Sequence, residues 1–181
     1  MSSRGGQLQW IDTATVRLRG MVDTMPASDL AADSRLPGWT RGHVVAHLAL
    51  GAQAMARLVV AAGEGRDGTA YVSEAARAAD IEAGARRRRL ALIGMFNDSA
   101  TALREAFTAM SPDAGARPVS VLGGRPLPVE QLVLRRVVEL ELHAVDLAWG
   151  YEPAHWPASF AGLDLPEPLD SQRASRLPGR R

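Results

Sequence analysis

The fold of this chain is decided by the stretch Glu139-Leu140-Glu141-Leu142-His143-Ala144-Val145-Asp146. In a helix, Glu139 and His143 lie four residues apart and share one face, to which Asp146 also returns. The other sides of this helix are apolar, with Leu132, Val133, Leu134, Val137, Val138, Leu140, Leu142, Val145 and Leu147. A helix that is apolar on nearly all sides is buried, so its polar stripe must find partners inside the protein.

Three further long helices are predicted along the chain. Thr40 is a good N-cap for one of them, and Gly150 ends the helix that carries the opening stretch. The predicted spans of the four helices are 8–25, 41–62, 87–110 and 129–149, with a shorter helix within 70–83. Four long helices with few strand signals predict an all-α fold, a four-helix bundle, in which facing helices can build a metal site from inward side chains.

Two segments lack the helical pattern. Residues 111–128 are rich in proline and glycine, and Val119-Ser120-Val121-Leu122 followed by Gly123-Gly124 predicts a short hairpin or irregular loop before the last main helix. Residues 161–181 combine proline and scattered charge with little periodicity, which predicts a poorly ordered tail. We therefore expect one bundle over residues 8–160 and a disordered tail over residues 161–181.

Composition excludes several classes of function. The chain has 181 residues, enough for one domain, and its net charge of +1 gives no reason to expect nucleic acid or an anionic membrane as a partner. It contains no cysteine, which excludes disulfides, thiolate metal sites and a cysteine nucleophile. No apolar run looks long enough to cross a membrane and no signal segment is evident, so we expect a cytoplasmic protein. All 21 basic residues are arginine, which indicates a GC-rich genome.

The four histidines supply the candidates for a metal site. His43 and His47 lie in Gly42-His43-Val44-Val45-Ala46-His47 at the start of the second long helix, and His47 is one turn deeper. His47 together with Glu139 and His143 would give two nitrogens and one carboxylate, a set typical of catalytic zinc, which keeps a fourth position open. Nickel, iron, cobalt and manganese also accept these ligands.

Each candidate also has a plainer interpretation. A single histidine in an apolar helix, such as His47 or His143, is more often a hydrogen-bonded core residue than a ligand. Asp146 would either orient a ligand histidine or form a structural ion pair. His43 would be a surface residue, a partner of a ligand or a substrate contact. Glu141 lies on a different side of the helix from Glu139 and is not expected to be a ligand.

The remaining charged groups have weaker signals. Arg135 and Arg136 precede Glu139 on the same helix, where they would neutralise it or bind an anionic substrate, and an ion pair is the favoured interpretation. His155 lies in a loop, where we expect no role for it. The run Arg86-Arg87-Arg88-Arg89 is interpreted as a solvated helix start rather than a nucleic-acid contact.

Two segments resemble the motifs of a known family, the mycothiol-dependent maleylpyruvate isomerases, a branch of the DinB-like metal-binding bundles. The first is Leu36-Pro37-Gly38-Trp39-Thr40-Arg41-Gly42-His43-Val44-Val45-Ala46-His47-Leu48-Ala49, and the second is Arg136-Val137-Val138-Glu139-Leu140-Glu141-Leu142-His143-Ala144-Val145-Asp146-Leu147. Residues 77–84 and the loop Leu122-Gly123-Gly124-Arg125-Pro126 are also similar to that family. The resemblance spans about residues 8–160 and implies a zinc site at His47, Glu139 and His143.

The resemblance also implies a reaction. Family members use mycothiol, the low-molecular-weight thiol of actinobacteria, a source compatible with the GC-rich coding bias. A metal with an open position lowers the pKa of a bound thiol and yields a thiolate at neutral pH. In the isomerase the thiolate adds to the cis double bond of maleylpyruvate, the carbon–carbon bond rotates, and elimination gives fumarylpyruvate. Related bundles are similar to thiol S-transferases, so the implied partners are a small-molecule thiol and an electrophilic substrate.

Two other interpretations stay open. Isomerases of this family carry a second, C-terminal domain that helps form the pocket and supplies an arginine for the substrate, and residues after Phe160 do not match it. The chain would then be a non-catalytic metal-binding bundle that keeps the site but lacks the substrate domain, and an exposed apolar helix edge would favour a homodimer. The third interpretation is a purely structural bundle whose histidines serve a buried polar network.

Overall fold

Helices make up most of the protein in this computed structural model, which describes residues 4–121 and 125–179. Their bounds are α1 (Arg4–Thr24), α2 (Ala27–Leu30), α3 (Arg41–Gly63), α4 (Glu74–Ala85), α5 (Arg89–Ala109), α6 (Pro112–Ala116), α7 (Gln131–Asp146), α8 (Ala158–Ala161) and α9 (Leu169–Ala174), with a 3-10 turn at Pro153–His155. The four longest, α1, α3, α5 and α7, occupy the spans predicted for them. The expected all-α four-helix bundle is confirmed.

Helix α3 lies at the centre of the bundle. It packs against α4, α5 and α7, while α1 covers the other side of α7. The shared core consists mainly of aliphatic side chains and phenylalanines, among them Leu18, Leu48, Leu92, Phe96, Leu103, Phe107, Leu132 and Leu140. Contrary to the expectation from sequence, α3 is long and apolar enough to cross a membrane, but most of its apolar stretch is buried inside the protein, as in a core helix.

The start of α3 is fixed by its cap. Thr40 is extended, with φ −78° and ψ 169°, and its hydroxyl accepts a hydrogen bond from the backbone N–H of His43. Nδ1 of His43 in turn accepts from the backbone N–H of Thr40 at 3.2 Å. Arg41 donates to the carbonyl oxygens of Leu147 at 2.9 Å and Ala148 at 3.2 Å, just beyond the end of α7. These bonds hold the start of α3 against the end of α7.

A short hairpin precedes α7, as predicted. Strand β1 (Pro118–Val119) pairs antiparallel with β2 (Leu127–Pro128), with Val119 opposite Leu127. The predicted loop residues Leu122, Gly123 and Gly124 lie outside the described residues.

The last part of the chain differs from the predicted tail. Residues 163–179, here called the C-terminal segment, contain α9, and their Leu165 and Leu169 are buried. Arg173 donates to the carbonyl oxygens of Phe160 at 2.9 Å and Leu163 at 2.7 Å. Two buried leucines and one arginine on backbone carbonyls anchor a segment whose composition alone suggests disorder. A domain boundary at residue 160 stays a prediction.

Candidate metal centre

The structure brings His47 of α3 together with Glu139 and His143 of α7. One potential ligand atom from each of the three lies within 4.8 Å of the other two. Nε2 of His47 is 3.2 Å from Oε1 of Glu139, and the rings of His47 and His143 are nearly perpendicular, with centroids 4.8 Å apart. The spacing of Glu139 and His143 along α7, together with the packing of α7 on α3, therefore brings the three side chains to one place.

The donor set suits a divalent metal. Two imidazole nitrogens and one carboxylate oxygen form a three-ligand set, and ligands of a tetrahedral zinc ion lie roughly 3.3 Å from one another. The separation of 3.2 Å between His47 and Glu139 matches that edge. The three side chains keep only 11–15% of their surface exposed, which leaves access from one side.

Gly51 makes room for the carboxylate. A Cβ atom at this position would lie 3.2 Å from Oε1 of Glu139, which is tighter than nine in ten real Cβ contacts. Gly51 follows His47 by one turn and so lies on the same face of α3. The absence of a side chain there allows the α7 carboxylate to reach His47. Gly51 is not among the residues predicted for the site, although its spacing of four residues from His47 is a signal in the sequence.

Glu139 is held in its charged form. Burial opposes ionisation, but the hydrogen bond with His47 and the positive charge of Arg136 outweigh it and hold the pKa of Glu139 well below its ordinary value. Arg136 is 1% exposed and donates from Nη1 to Oε2 of Glu139 at 2.7 Å and to the carbonyl oxygen of Leu48 at 3.0 Å. The favoured interpretation of Arg136 as an ion-pair partner agrees with this contact.

His47 is held neutral but contacts a cation. Burial lowers its pKa below the ordinary value, so it carries no charge at neutral pH. Nη2 of Arg77 lies 3.1 Å from Nδ1 of His47. Because a guanidinium can only donate, Nδ1 is the acceptor and the ring proton is on Nε2, facing Glu139. A metal on Nε2 would require that proton to leave and the Arg77 contact to give way.

In His143 the ring proton is on the other nitrogen, Nδ1. Its Nδ1 donates to Oδ2 of Asp146 at 2.9 Å, so the lone pair on its Nε2 is free to bind a metal. Asp146 also accepts two bonds from Arg176, at 3.2 Å from Nε and 2.8 Å from Nη2. Burial opposes ionisation of Asp146, but the bonds from His143 and Arg176 outweigh it and lower its pKa. Asp146 thus contacts a candidate ligand and also forms an ion pair.

A cavity of about 480 Å³ opens beside the three candidate ligands. Its walls are mostly apolar and come from several elements, including Met55, Leu58, Ala70, Leu132, Val138, Leu142 and Leu169. Arg77, Arg135 and Arg176 add positive charge to it, and Tyr71 adds a hydroxyl whose pKa is raised by burial. Apolar walls with a few converging polar groups are typical of a small-molecule site.

Arg135 differs from the other arginines of the cavity. Arg77 is bonded to His47 and Arg176 to Asp146. Arg135 lies one turn before Glu139 and is partly buried, and its guanidinium has no hydrogen bond or ion pair with any residue in 4–121 or 125–179. Its guanidinium is therefore available to a ligand, and the ion pair favoured from sequence is not seen in the described part of the chain.

The other candidate residues lie away from the trio formed by His47, Glu139 and His143. Nε2 of His43 is 2.8 Å from Oε2 of Glu82, so this ring joins the cap of α3 to α4. Glu141 faces the opposite side of α7, where it pairs with Arg17 and accepts from the hydroxyl of Tyr151 at 3.0 Å. The ring of His155 accepts from the backbone of Glu152.

The predicted solvated arginines are only partly so. Arg86 pairs with Glu82 at the surface. Arg89 donates to the carbonyl oxygen of Met25 at 2.8 Å and thereby ties the start of α5 to the end of α1.

Comparison with known proteins identifies close structural relatives. A family model described as the mycothiol maleylpyruvate isomerase N-terminal domain matches residues 11–148. Crystal structures of the mycothiol-dependent maleylpyruvate isomerase and of a histidine-to-alanine mutant of it each match 86% of the chain, with 28% sequence identity and a TM-score of 0.82. The chain spans 65% of the length of each of these solved proteins. No curated protein matches the sequence.

Proposed function

Because this chain belongs to the mycothiol maleylpyruvate isomerase N-terminal domain family, we propose that it activates an external thiol at a metal held by His47, Glu139 and His143. One observation carries the proposal: three side chains of the types that bind metals, from two helices, converge at the wall of a single cavity. Zinc is the favoured metal because this donor set leaves a fourth position for a thiol sulfur.

The bound metal would supply one piece of chemistry, a thiol pKa low enough to give a thiolate at neutral pH. The residues of the chain prepare the site for it. Arg136 keeps Glu139 ionised, and burial keeps His47 neutral. Asp146 holds the proton of His143 on the nitrogen away from the cluster. Apolar side chains around the cavity limit access of water to the nucleophile.

The second substrate is an acidic electrophile in this proposal. Arg135 lines the cavity one turn along α7 from Glu139, and its guanidinium, which has no partner among the described residues, can bind a carboxylate there. Addition of the thiolate to a cis double bond conjugated with a carbonyl gives an enolate. Rotation about the resulting single bond and expulsion of the same thiolate give the trans isomer, so no atom is gained or lost. Tyr71 lines the same cavity, and its hydroxyl, which is protonated at neutral pH and whose pKa burial raises further, can donate to the enolate oxygen.

Transfer of the thiol to an electrophile is the alternative reaction at the same site. It uses the same activated sulfur and differs only in that the electrophile keeps it. A cytoplasmic location and a homodimer stay predictions.

A purely structural role is the second candidate function. The contact between Arg77 and His47 places a proton on Nε2 of His47, where it can bond to Glu139 without any metal. The three side chains would then form a satisfied polar network within the bundle. A non-catalytic bundle that binds metal without turnover is distinguished from this by metal content alone.

Elemental analysis of the purified chain tests the proposal. We expect about one zinc per chain in the wild type, a loss of zinc in His143→Ala, and retention in the control His155→Ala, which changes a loop histidine. Calorimetric titration with mycothiol should show binding only to the zinc-loaded protein. A wild type that takes up no divalent metal, even when reconstituted, would leave the structural network as the function of these residues.

A further inference from the structure

We propose that the C-terminal segment is a working part of the metal centre, with Arg176 as the positioning residue that fixes Asp146 and, through it, the ligand His143. The proposal deepens the proposed function and rests on it only for the metal itself. The contacts between Arg176, Asp146 and His143 involve only residues of the chain itself.

The geometry at Asp146 carries the inference. Its side chain is 3% exposed, so its carboxylate depends on protein partners for nearly all of its hydrogen bonds. Arg176 occupies both oxygens with Nε and Nη2, a fork that a planar guanidinium matches well. This fixes the rotation of the carboxylate and leaves Oδ2 directed at Nδ1 of His143, 2.9 Å away. His143 must then present its lone pair at Nε2, towards His47 and Glu139.

Arg176 reaches this position because the whole segment is docked. Leu165 and Leu169 are buried, and Arg173 bonds to two carbonyl oxygens of the preceding turn. Leu169 and Gln172 also line the cavity beside the candidate ligands, as Arg176 does. The segment thus forms part of the cavity wall. It also supplies Arg176, which bonds to Asp146, the residue that in turn bonds to the candidate ligand His143. It lies beyond residues 11–148, the part of the chain that matches the family model.

A coupling follows from this arrangement. If docking of the segment favours the metal-binding orientation of His143, then metal binding must favour docking by the same factor. The segment would be held more firmly in the metal-loaded protein than in the metal-free protein. A segment that only covers the bundle would show no such dependence.

Three measurements on the full chain test the proposal, with Arg176→Gln compared with the control Arg104→Gln, which removes a surface ion pair to Asp12. Zinc affinity, from competition with a chelator, should fall about 10-fold in Arg176→Gln and stay unchanged in the control. Nitrogen NMR of the metal-free protein should show the His143 proton on Nδ1 in the wild type and a mixture of both tautomers in Arg176→Gln. Zinc should slow amide hydrogen exchange at residues 169–176 in the wild type, and this slowing should be lost in the variant.

Each failure has a separate meaning. A wild type that binds no zinc defeats the proposed function, while the His143 tautomer still decides the role of Arg176. Wild-type zinc affinity and an unchanged tautomer in folded Arg176→Gln would overturn the positioning role. If Arg176→Gln does not fold, Arg176→Lys replaces it, because an ammonium group cannot hold both oxygens in a fork. Zinc affinity in Arg176→Lys is expected to fall by a smaller factor, and a wild-type value would overturn the proposal.

Discussion

Gly51 of α3 and Glu139 of α7 face each other so closely that a Cβ atom at position 51 would lie 3.2 Å from Oε1 of the glutamate. The charged carboxylate of the candidate metal centre therefore occupies space that exists only because residue 51 is a glycine. A substitution at position 51 can therefore change the metal affinity of the site without an equal change in the stability of the fold.

Gly51→Ala is therefore expected to weaken metal binding without unfolding the protein. The added methyl group must displace the carboxylate, and a displaced ligand should cost about 10-fold in zinc affinity, by analogy with other perturbations around metal ligands. Alanine is preferred over glycine within a helix by about 1 kcal/mol, which offsets part of the strain. Chelator competition and thermal melting of the metal-free protein measure the two effects.

Gly94→Ala is the matched control, because it lies within α5 and a Cβ there would meet nothing within 4 Å. It should raise the melting temperature and leave zinc affinity unchanged. Equal zinc affinity in Gly51→Ala and the wild type would show that Glu139 does not need this space.

Replacement of Arg77 by methionine should strengthen metal binding. The arginine donates to Nδ1 of His47, which holds the ring proton on the nitrogen that a metal needs, and its charge repels a cation. Removal of both effects is expected to raise zinc affinity by about 10-fold, since one charge-assisted hydrogen bond is worth about 1.5–3 kcal/mol. Calorimetric titration with zinc tests this. Weaker binding in Arg77→Met would mean that Arg77 supports the site instead.

Arg135 should affect one substrate and leave the other unchanged. Arg135→Gln is expected to raise KM for an acidic electrophile by about 10- to 100-fold, the equivalent of one lost charged hydrogen bond. Affinities for zinc and for the thiol should stay at wild-type values, because Arg135 contacts none of the candidate ligands. Steady-state kinetics with maleylpyruvate measures the first effect, and an unchanged KM would remove Arg135 from the substrate site.

Acid should destabilise the metal-free protein through Glu139. The folded-state pKa of this group lies below its ordinary value of 4.5, so its contribution to stability is complete above that value. The contribution is lost as the pH falls below about 4.5 towards the folded-state pKa. Urea unfolding between pH 6 and pH 3 should show this loss in the wild type and a shallower dependence in Glu139→Gln. Equal slopes in the two proteins would contradict the depressed pKa.

The fold and the candidate trio could be predicted from the sequence because both depend on local patterns. Glu139 and His143 share a helix face because they lie four residues apart, and the apolar residues around them require burial. His47 lies in a second apolar helix, so the bundle leaves few other places for these polar groups. Threonine is a favoured N-cap residue, so Thr40 predicts the start of that helix, and the structure confirms the cap.

The partners of the trio could not be predicted in the same way. Arg77 and Arg176 reach His47 and Asp146 from 30 residues away in each case, and no local spacing marks such contacts. Composition predicts disorder for the C-terminal segment, because composition records its prolines and charges but not the burial of Leu165 and Leu169. Contacts set by packing between distant elements need the assembled bundle.

The joint that Arg41 makes with the carbonyl oxygens of Leu147 and Ala148 has a consequence for how such a protein can diversify. It fastens α3 and α7, the two helices that carry the candidate ligands, to each other outside the cavity. Part of the cavity wall comes from elsewhere, from Tyr71, from α4 and from α9. Mutations in those parts can reshape what the cavity accepts while the spacing of His47, Glu139 and His143 is conserved. The shape of the cavity can thus change in evolution without a change in the arrangement of the three candidate ligands.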